Sequence, residues 1–243
     1  MKPSTARERL AFALDYPDLG AARRGAALVS AAAGVLKIGL ELFVREGPAT
    51  LALGDELGAA IFLDLKLHDI PETVERAVAS ACELGARYLT VHASGGGKML
   101  ERAAKRAELE NSGLVLLAVT VLTSLDEADL LAVGIGGTAS GQVSRLAHLA
   151  TSCGVPGLVC SAAEVGALRR ELGSEVLLVT PGIRPKQAAR GDDQKRVGTP
   201  GDAIRQGASI LVVGRPIRDA SDPSIAAEQI LEEISEAERA GAP

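Results

Sequence analysis

The run Asp64-Leu65-Lys66-Leu67-His68-Asp69 places two carboxylates and an ammonium in one short stretch. Side chains two apart on an extended chain share a face, so Asp64 and Lys66 are expected to project together. A carboxylate and an ammonium held side by side can place a proton and a fixed cation against negative charge that develops during a reaction. Asp15 and Lys37, at the ends of two earlier apolar runs, add one charge of each sign. Gathering such groups is costly to solvation, and a unit pair 4 Å apart regains only about 4 kcal/mol at an effective dielectric near 20. A chain that concentrates them points to catalysis more than to a solvated rim.

A second group of residues suits an anion. One apolar run leads into Thr180-Pro181-Gly182-Ile183-Arg184 and the last leads into Val213-Gly214-Arg215-Pro216-Ile217. Glycines let backbone N–H groups approach a phosphate, a following helix turns its positive end toward it, and Arg215 can add a two-pronged guanidinium. Between the two lies Arg184–Pro200, with Gly191-Asp192-Asp193-Gln194-Lys195-Arg196 in its middle, a long polar connection of the kind that closes over a site.

These residues need a frame, and the apolar pattern predicts one. Eight β-branched or leucine-rich runs read as strands: Leu10–Asp15, Val35–Gly39, Ala60–Lys66, Tyr88–His92, Val115–Val121, Gly157–Cys160, Val176–Thr180 and Ile210–Gly214. Helical spacing recurs between most of them, as in Pro71–Leu84, where Val74, Ala77, Val78 and Ala81 mark one face. Apolar runs without polar alternation imply strands buried on both sides, hence parallel pairing. Eight strand–helix alternations predict an α/β chain folded as a (β/α)8 TIM barrel, one domain over residues 1–243, with function where strands end. A doubly wound sheet is the competing frame, but no G-x-G-x-x-G follows the first strand and no G-x-x-x-x-G-K-[ST] occurs, while Gly95-Gly96-Gly97 reads as a turn.

Composition bounds the function. The chain has 243 residues, 47% of them hydrophobic, and a formal charge of -5, with no basic block or aromatic-interleaved stripe for nucleic acid. Cys82, Cys153 and Cys160 form no C-x-x-C pair, which suggests reduced thiols in the cytoplasm rather than a zinc site or disulfide framework. The early apolar run is too short for a signal segment or a membrane span, so no membrane partner is expected. His68, His92 and His148 lack metal spacing and read as packing or surface residues.

Along essentially its full length the chain resembles the orotidine 5′-phosphate decarboxylase family of bacterial type. The likeness rests on ALD at 13–15, KIGLELF at 37–43, FLDLKLHDIPETV at 62–74, TVLTS at 120–124, TPGIRP at 180–185, GDDQKRV at 191–197 and VVGRPI at 212–217. D-x-K-x-x-D alone is shared by sister barrels, whereas all seven segments in register are highly specific. The resemblance implies decarboxylation of orotidine 5′-monophosphate to uridine 5′-monophosphate in de novo pyrimidine nucleotide synthesis, with no metal and no organic cofactor. It implies that Lys66 protonates C6, that Asp64 lies beside the departing carboxylate, and that Asp15 and Lys37 bind the ribose hydroxyls. Thr123 and Ser124 would lie near the pyrimidine, and Arg184, Gln194, Gly214 and Arg215 would hold the phosphate. It further implies a homodimer in which Asp69 and Thr73 reach the partner's site. Glu72 stands where the family commonly has Asn, a departure confined to local contacts.

Two other readings have distinct expectations. A sister barrel that uses Mg2+ on a sugar phosphate, as a decarboxylase or an aldolase, needs carboxylates as ligands at the ends of strands 2 and 3. Here the second strand carries Lys37. A barrel kept only to bind nucleotide phosphate would have lost Lys66 or its carboxylates, and these are present.

Overall fold

The computed structural model describes residues 3–185 and 198–241. Its strands are β1 (Leu10–Ala13), β2 (Val35–Gly39), β3 (Ala60–Leu67), β4 (Tyr88–His92), β5 (Val115–Val119), β6 (Gly157–Val159), β7 (Leu177–Thr180) and β8 (Ile210–Val213). They pair in parallel in chain order, and β8 returns to pair with β1, so the sheet closes into an eight-stranded barrel with no edge. All eight expected strands are present. β1, β5, β6 and β8 stop one or two residues before their expected ends, and β7 begins at Leu177. In β1 the last paired residue is Ala13, opposite Lys37, and Asp15 lies beyond it in the following loop.

The apolar runs serve two cores at once. Alternate residues Ala11, Ala13, Val35, Phe62, Tyr88, Leu117, Val179 and Val212 fill the barrel interior. Their neighbours Leu10, Phe12, Leu36, Leu63, Leu89, Leu116, Leu158 and Leu211 face outward into the larger core beneath the helices. Each fully buried leucine contributes about 1.5–3 kcal/mol. Packing inside is tight enough that a Cβ on Gly157 would stand 2.5 Å from Leu117 Cδ2.

The helix Pro71–Glu83 buries Val74, Val78 and Ala81, as its spacing predicts, with proline in its first turn. Gly95-Gly96-Gly97 is a turn: Gly96 has φ of 86° and the helix Gly97–Glu110 starts directly after it. The last helix, Pro223–Gly241, buries Ile230 and Ile234 and is tied to the start of the chain by an Arg9–Glu238 ion pair. Among the described residues no helix is long and apolar enough to cross a membrane.

Candidate active site

The period-two alternation that fills the interior also sets the charges at its mouth. Val35 is followed on the inner face by Lys37, Phe62 by Asp64 and Tyr88 by Thr90, so each apolar layer ends in a polar one. Lys37 Nζ lies 3.5 Å from Asp15 Oδ1 and 3.5 Å from Asp64 Oδ2, and Lys66 Nζ lies 2.8 Å from the same Asp64 oxygen. The chain of charges therefore runs Asp15, Lys37, Asp64, Lys66. Burial by itself would raise the Asp64 carboxyl, but the charges of Lys37 and Lys66 and hydrogen bonds from Lys66 and Thr90 outweigh it and hold the group below its ordinary value.

Lys66 reaches the mouth by a route that simple alternation does not describe. It has φ of 51°, a left-handed backbone uncommon for a residue with a side chain. The β3–β4 pairing shifts here: Leu63 pairs with Leu89 and Leu67 with Val91, so Asp64, Leu65 and Lys66 together face Thr90 alone. The displaced Lys66 N–H donates to Thr90 Oγ1 at 2.9 Å, and that hydroxyl donates to Asp64 Oδ1 at 3.0 Å.

These groups open on a cavity of about 230 Å³. Ala13, Phe62, Val119, Val159, Val179 and Val212 form its apolar part, while Asp15, Lys37, Asp64, Lys66, Thr123, Arg184, Gly214 and Arg215 supply the polar side. The loop after β7 is clasped at its base, where Arg184 N–H donates to Gly198 O at 2.9 Å and Gly198 N–H to Gly182 O at 3.3 Å. Gly214 packs so close to the end of β1 that a Cβ would lie 3.3 Å from Ala13 Cβ and 3.3 Å from Asp15 Oδ2 in the loop beyond. The helix after it, Arg215–Arg218, has only four residues. Its dipole is correspondingly weak, so an anion here would depend on backbone N–H groups, Arg184 and Arg215 more than on the helix end expected from sequence.

Eight of the expected site residues thus line one cavity. Asp69, Thr73 and Ser124 do not: all three are exposed, and Asp69 Oδ1 accepts the N–H of Ile70 at 2.6 Å. Gln194 lies outside the described residues. Sequence reasoning missed Thr90 and Cys160 as parts of the site. A buried threonine in phase with Tyr88 was the available signal for Thr90. Cys160 lines the cavity as a thiol, since burial and the nearby Glu164 push its pKa up to about 12. The rings of His68 and His92 lie tilted at 39° with centroids 5.4 Å apart, and burial, then His68 and Lys66, lower the His92 pKa against the pull of Asp64.

A closed parallel barrel with a mixed-sign charge network and two cationic loops at its strand ends is an enzyme frame for a small anionic substrate. The model of the Orotidine 5′-phosphate decarboxylase / HUMPS family matches residues 8–230. The chain belongs to that family. It is 53% identical over 230 residues to orotidine 5′-phosphate decarboxylase of Anaeromyxobacter sp. (strain K), covering 95% of this chain and 98% of that protein. With the orotidine 5′-phosphate decarboxylase of Thermobifida fusca it shares 50% over 226 residues, 93% of this chain and 95% of the relative. The crystal structure of orotidine 5′-phosphate decarboxylase from Lactobacillus acidophilus superposes with a TM-score of 0.80 at 35% identity, covering 93% of this chain and 99% of that one.

The depressed Asp64 pKa has a consequence for stability. Above its ordinary value of 3.8 the group is ionised both folded and unfolded, and its ion pairs contribute fully; as pH falls through the lower folded value, that contribution is lost. Thermal unfolding of wild type and Asp64→Asn between about pH 7 and about pH 2 should therefore show a Tm difference, wild type minus variant, that falls toward acid. A difference independent of pH would contradict the assignment.

Proposed function

We propose that the chain, acting as one barrel domain over residues 1–243, decarboxylates orotidine 5′-monophosphate to uridine 5′-monophosphate and carbon dioxide in pyrimidine nucleotide synthesis. The observation that carries the reading is the network Asp15–Lys37–Asp64–Lys66 at the barrel mouth, in a chain of this family. In the proposed step the bond from C6 to the carboxylate breaks and its electron pair stays on C6. Carbon dioxide leaves and Lys66 Nζ delivers a proton to C6; solvent then restores the lysine proton. A fixed cation beside C6 stabilises the developing carbanion, and Asp64 disfavours a like-charged carboxylate next to it. Asp15 and Lys37 take the ribose hydroxyls. Thr123 and Ser124 flank the pyrimidine, and Arg184, Gln194, Gly214 and Arg215 take the phosphate.

The scheme uses neither a metal ion nor an organic cofactor. What disfavours the Mg2+-dependent alternative is Lys37: β2 carries an ammonium, 3.5 Å from Asp64 on β3, where that chemistry would need a second carboxylate ligand. We further propose a homodimer in which Asp69 and Thr73 complete the partner's site. Its support is their exposure on the rim beside Ile70, which is 65% exposed, with Leu40 and Val44 also exposed on the helix after β2. The free thiols Cys82, Cys153 and Cys160 fit a cytoplasmic location.

The direct experiment follows the loss of orotidine 5′-monophosphate absorbance with EDTA present. Wild type should turn over, and Lys66→Ala should be at least about 10³-fold slower, the scale of a lost general acid. An inactive wild type would refute the reading, and activity that needs added Mg2+ would restore the sister-barrel alternative.

Binding energy at the phosphate should be expressed at the reacting carbon. Arg215→Ala is expected to lower kcat as well as raise KM, with kcat/KM down by about a hundredfold, the scale of a charge-assisted bidentate contact. Unchanged kcat with a raised KM alone would separate the two ends of the site.

The dimer reading is checked by mixing Lys66→Ala and Asp69→Asn chains, each nearly inactive alone. A mixed dimer with Asp69 acting across the interface regains one native site, so activity should reappear on mixing. No recovery, in a mixture shown to exchange subunits, would place Asp69 in its own barrel's site or in none.

A further inference from the structure

We propose that Thr90 is a positioning residue for this reaction, its one hydroxyl holding both the backbone of Lys66 and the carboxylate of Asp64. The proposal rests on the decarboxylation reading above and adds to it a residue that touches neither substrate nor reacting atoms.

Thr90 is fully buried on the inner face of β4, in the polar layer just above the apolar one to which Tyr88 belongs. A buried hydroxyl without partners is costly, and this one has two. The roles are fixed by chemistry: a backbone N–H can only donate and an ionised carboxylate can only accept. Thr90 Oγ1 therefore accepts from Lys66 N–H at 2.9 Å and turns its own hydrogen to Asp64 Oδ1 at 3.0 Å.

Between the paired positions Leu63–Leu89 and Leu67–Val91, three residues of β3 face one of β4. Regular pairing leaves no carbonyl in register for the Lys66 N–H, and the Thr90 side chain replaces it. The left-handed φ of 51° at Lys66 is thus kept by a side chain from the next strand. On the other side, Thr90 occupies Asp64 Oδ1 and leaves Oδ2 to meet Lys66 Nζ at 2.8 Å and Lys37 Nζ at 3.5 Å. One hydroxyl thereby sets where the proton donor leaves the strand and which carboxylate oxygen faces it.

Positioning by the hydroxyl predicts a graded series. Thr90→Val keeps the shape and removes both hydrogen bonds; kcat for orotidine 5′-monophosphate should fall about tenfold to a hundredfold, the scale of hydrogen bonds to a charged group, with KM and uridine 5′-monophosphate affinity within about threefold of wild type. Thr90→Ser keeps the hydroxyl and should hold kcat within about fivefold. Titration of the Asp64 carboxyl followed by 13C NMR should shift upward in the valine variant and return in the serine one. If Thr90→Val fails to fold, Thr90→Ala against Thr90→Ser gives the same comparison. Unchanged kcat in Val or Ala, failure of Ser to rescue, or loss of product affinity in step with kcat would each overturn the proposal. If wild type itself does not turn over, the reaction is wrong, and an unmoved Asp64 titration would then overturn the role of Thr90 separately.

Discussion

A carboxylate as enclosed as Asp64 stays ionised only if its surroundings replace the water it has lost. Two ammonium groups and one hydroxyl do so here, each from a different place: Lys37 from β2, Lys66 from the end of its own strand and Thr90 from β4. Lys37 is in turn shared with Asp15 beyond β1. The dependence is mutual, because without Asp64 the two lysines would face one another with no anion between them. Four charges from three neighbouring strands can meet in this order only while those strands keep their register, so the mouth constrains the barrel as much as the barrel positions the mouth.

Closure then brings in the rest of the site. β8 pairs with β1, which sets Gly214 and Arg215 beside Asp15 although about two hundred residues separate them in the chain. Gly214 fits closely there: an added Cβ would come within 3.3 Å of both Ala13 Cβ and Asp15 Oδ2, so those neighbours would have to give by a few tenths of an ångström. Beneath these loops the interior is closed by Phe62, Val179 and Val212, so the cavity lies over a packed core and is not a channel.

The frame was legible because the two cores impose different partners on one alternating pattern. Ala11 and Ala13 look inward while Leu10 and Phe12 look outward, yet both sets are apolar, and that is why the runs read as parallel strands. Asp15, Lys37, Asp64, Arg184, Gly214 and Arg215 were legible because strand ends announce themselves in sequence, whereas Thr123 was reached only through the family resemblance. What sequence could not give was any feature that depends on a second strand. The left-handed turn at Lys66 follows from the shifted pairing with β4, and neither D-x-K nor its neighbours in sequence betray it. Thr90 looks like an ordinary strand threonine until its hydroxyl is seen between Asp64 and Lys66. The exposure of Asp69, Thr73 and Ser124 also belongs to three dimensions: they adjoin the charged run or the β5 loop in sequence, yet face solvent.

The sign of the mouth differs from that of the molecule, and that difference has kinetic meaning. The chain carries a formal charge of -5, yet two carboxylates in the cavity, Asp15 and Asp64, face four cationic side chains, Lys37, Lys66, Arg184 and Arg215. An apolar-walled recess focuses such a local field, so anions are drawn to this mouth while the remaining surface repels them. On the proposed reaction the substrate arrives with a phosphate and a carboxylate and the product leaves with the phosphate alone. Loss of carbon dioxide removes one of the negative charges that the cations attract, whereas Asp64 repels that same carboxylate before it leaves. The cationic loops thus act on the part of the molecule that does not change, and the Asp64–Lys66 pair acts on the part that does. Their separation across the barrel mouth allows tight capture of a dianion without equal stabilisation of the carboxylate that must be lost.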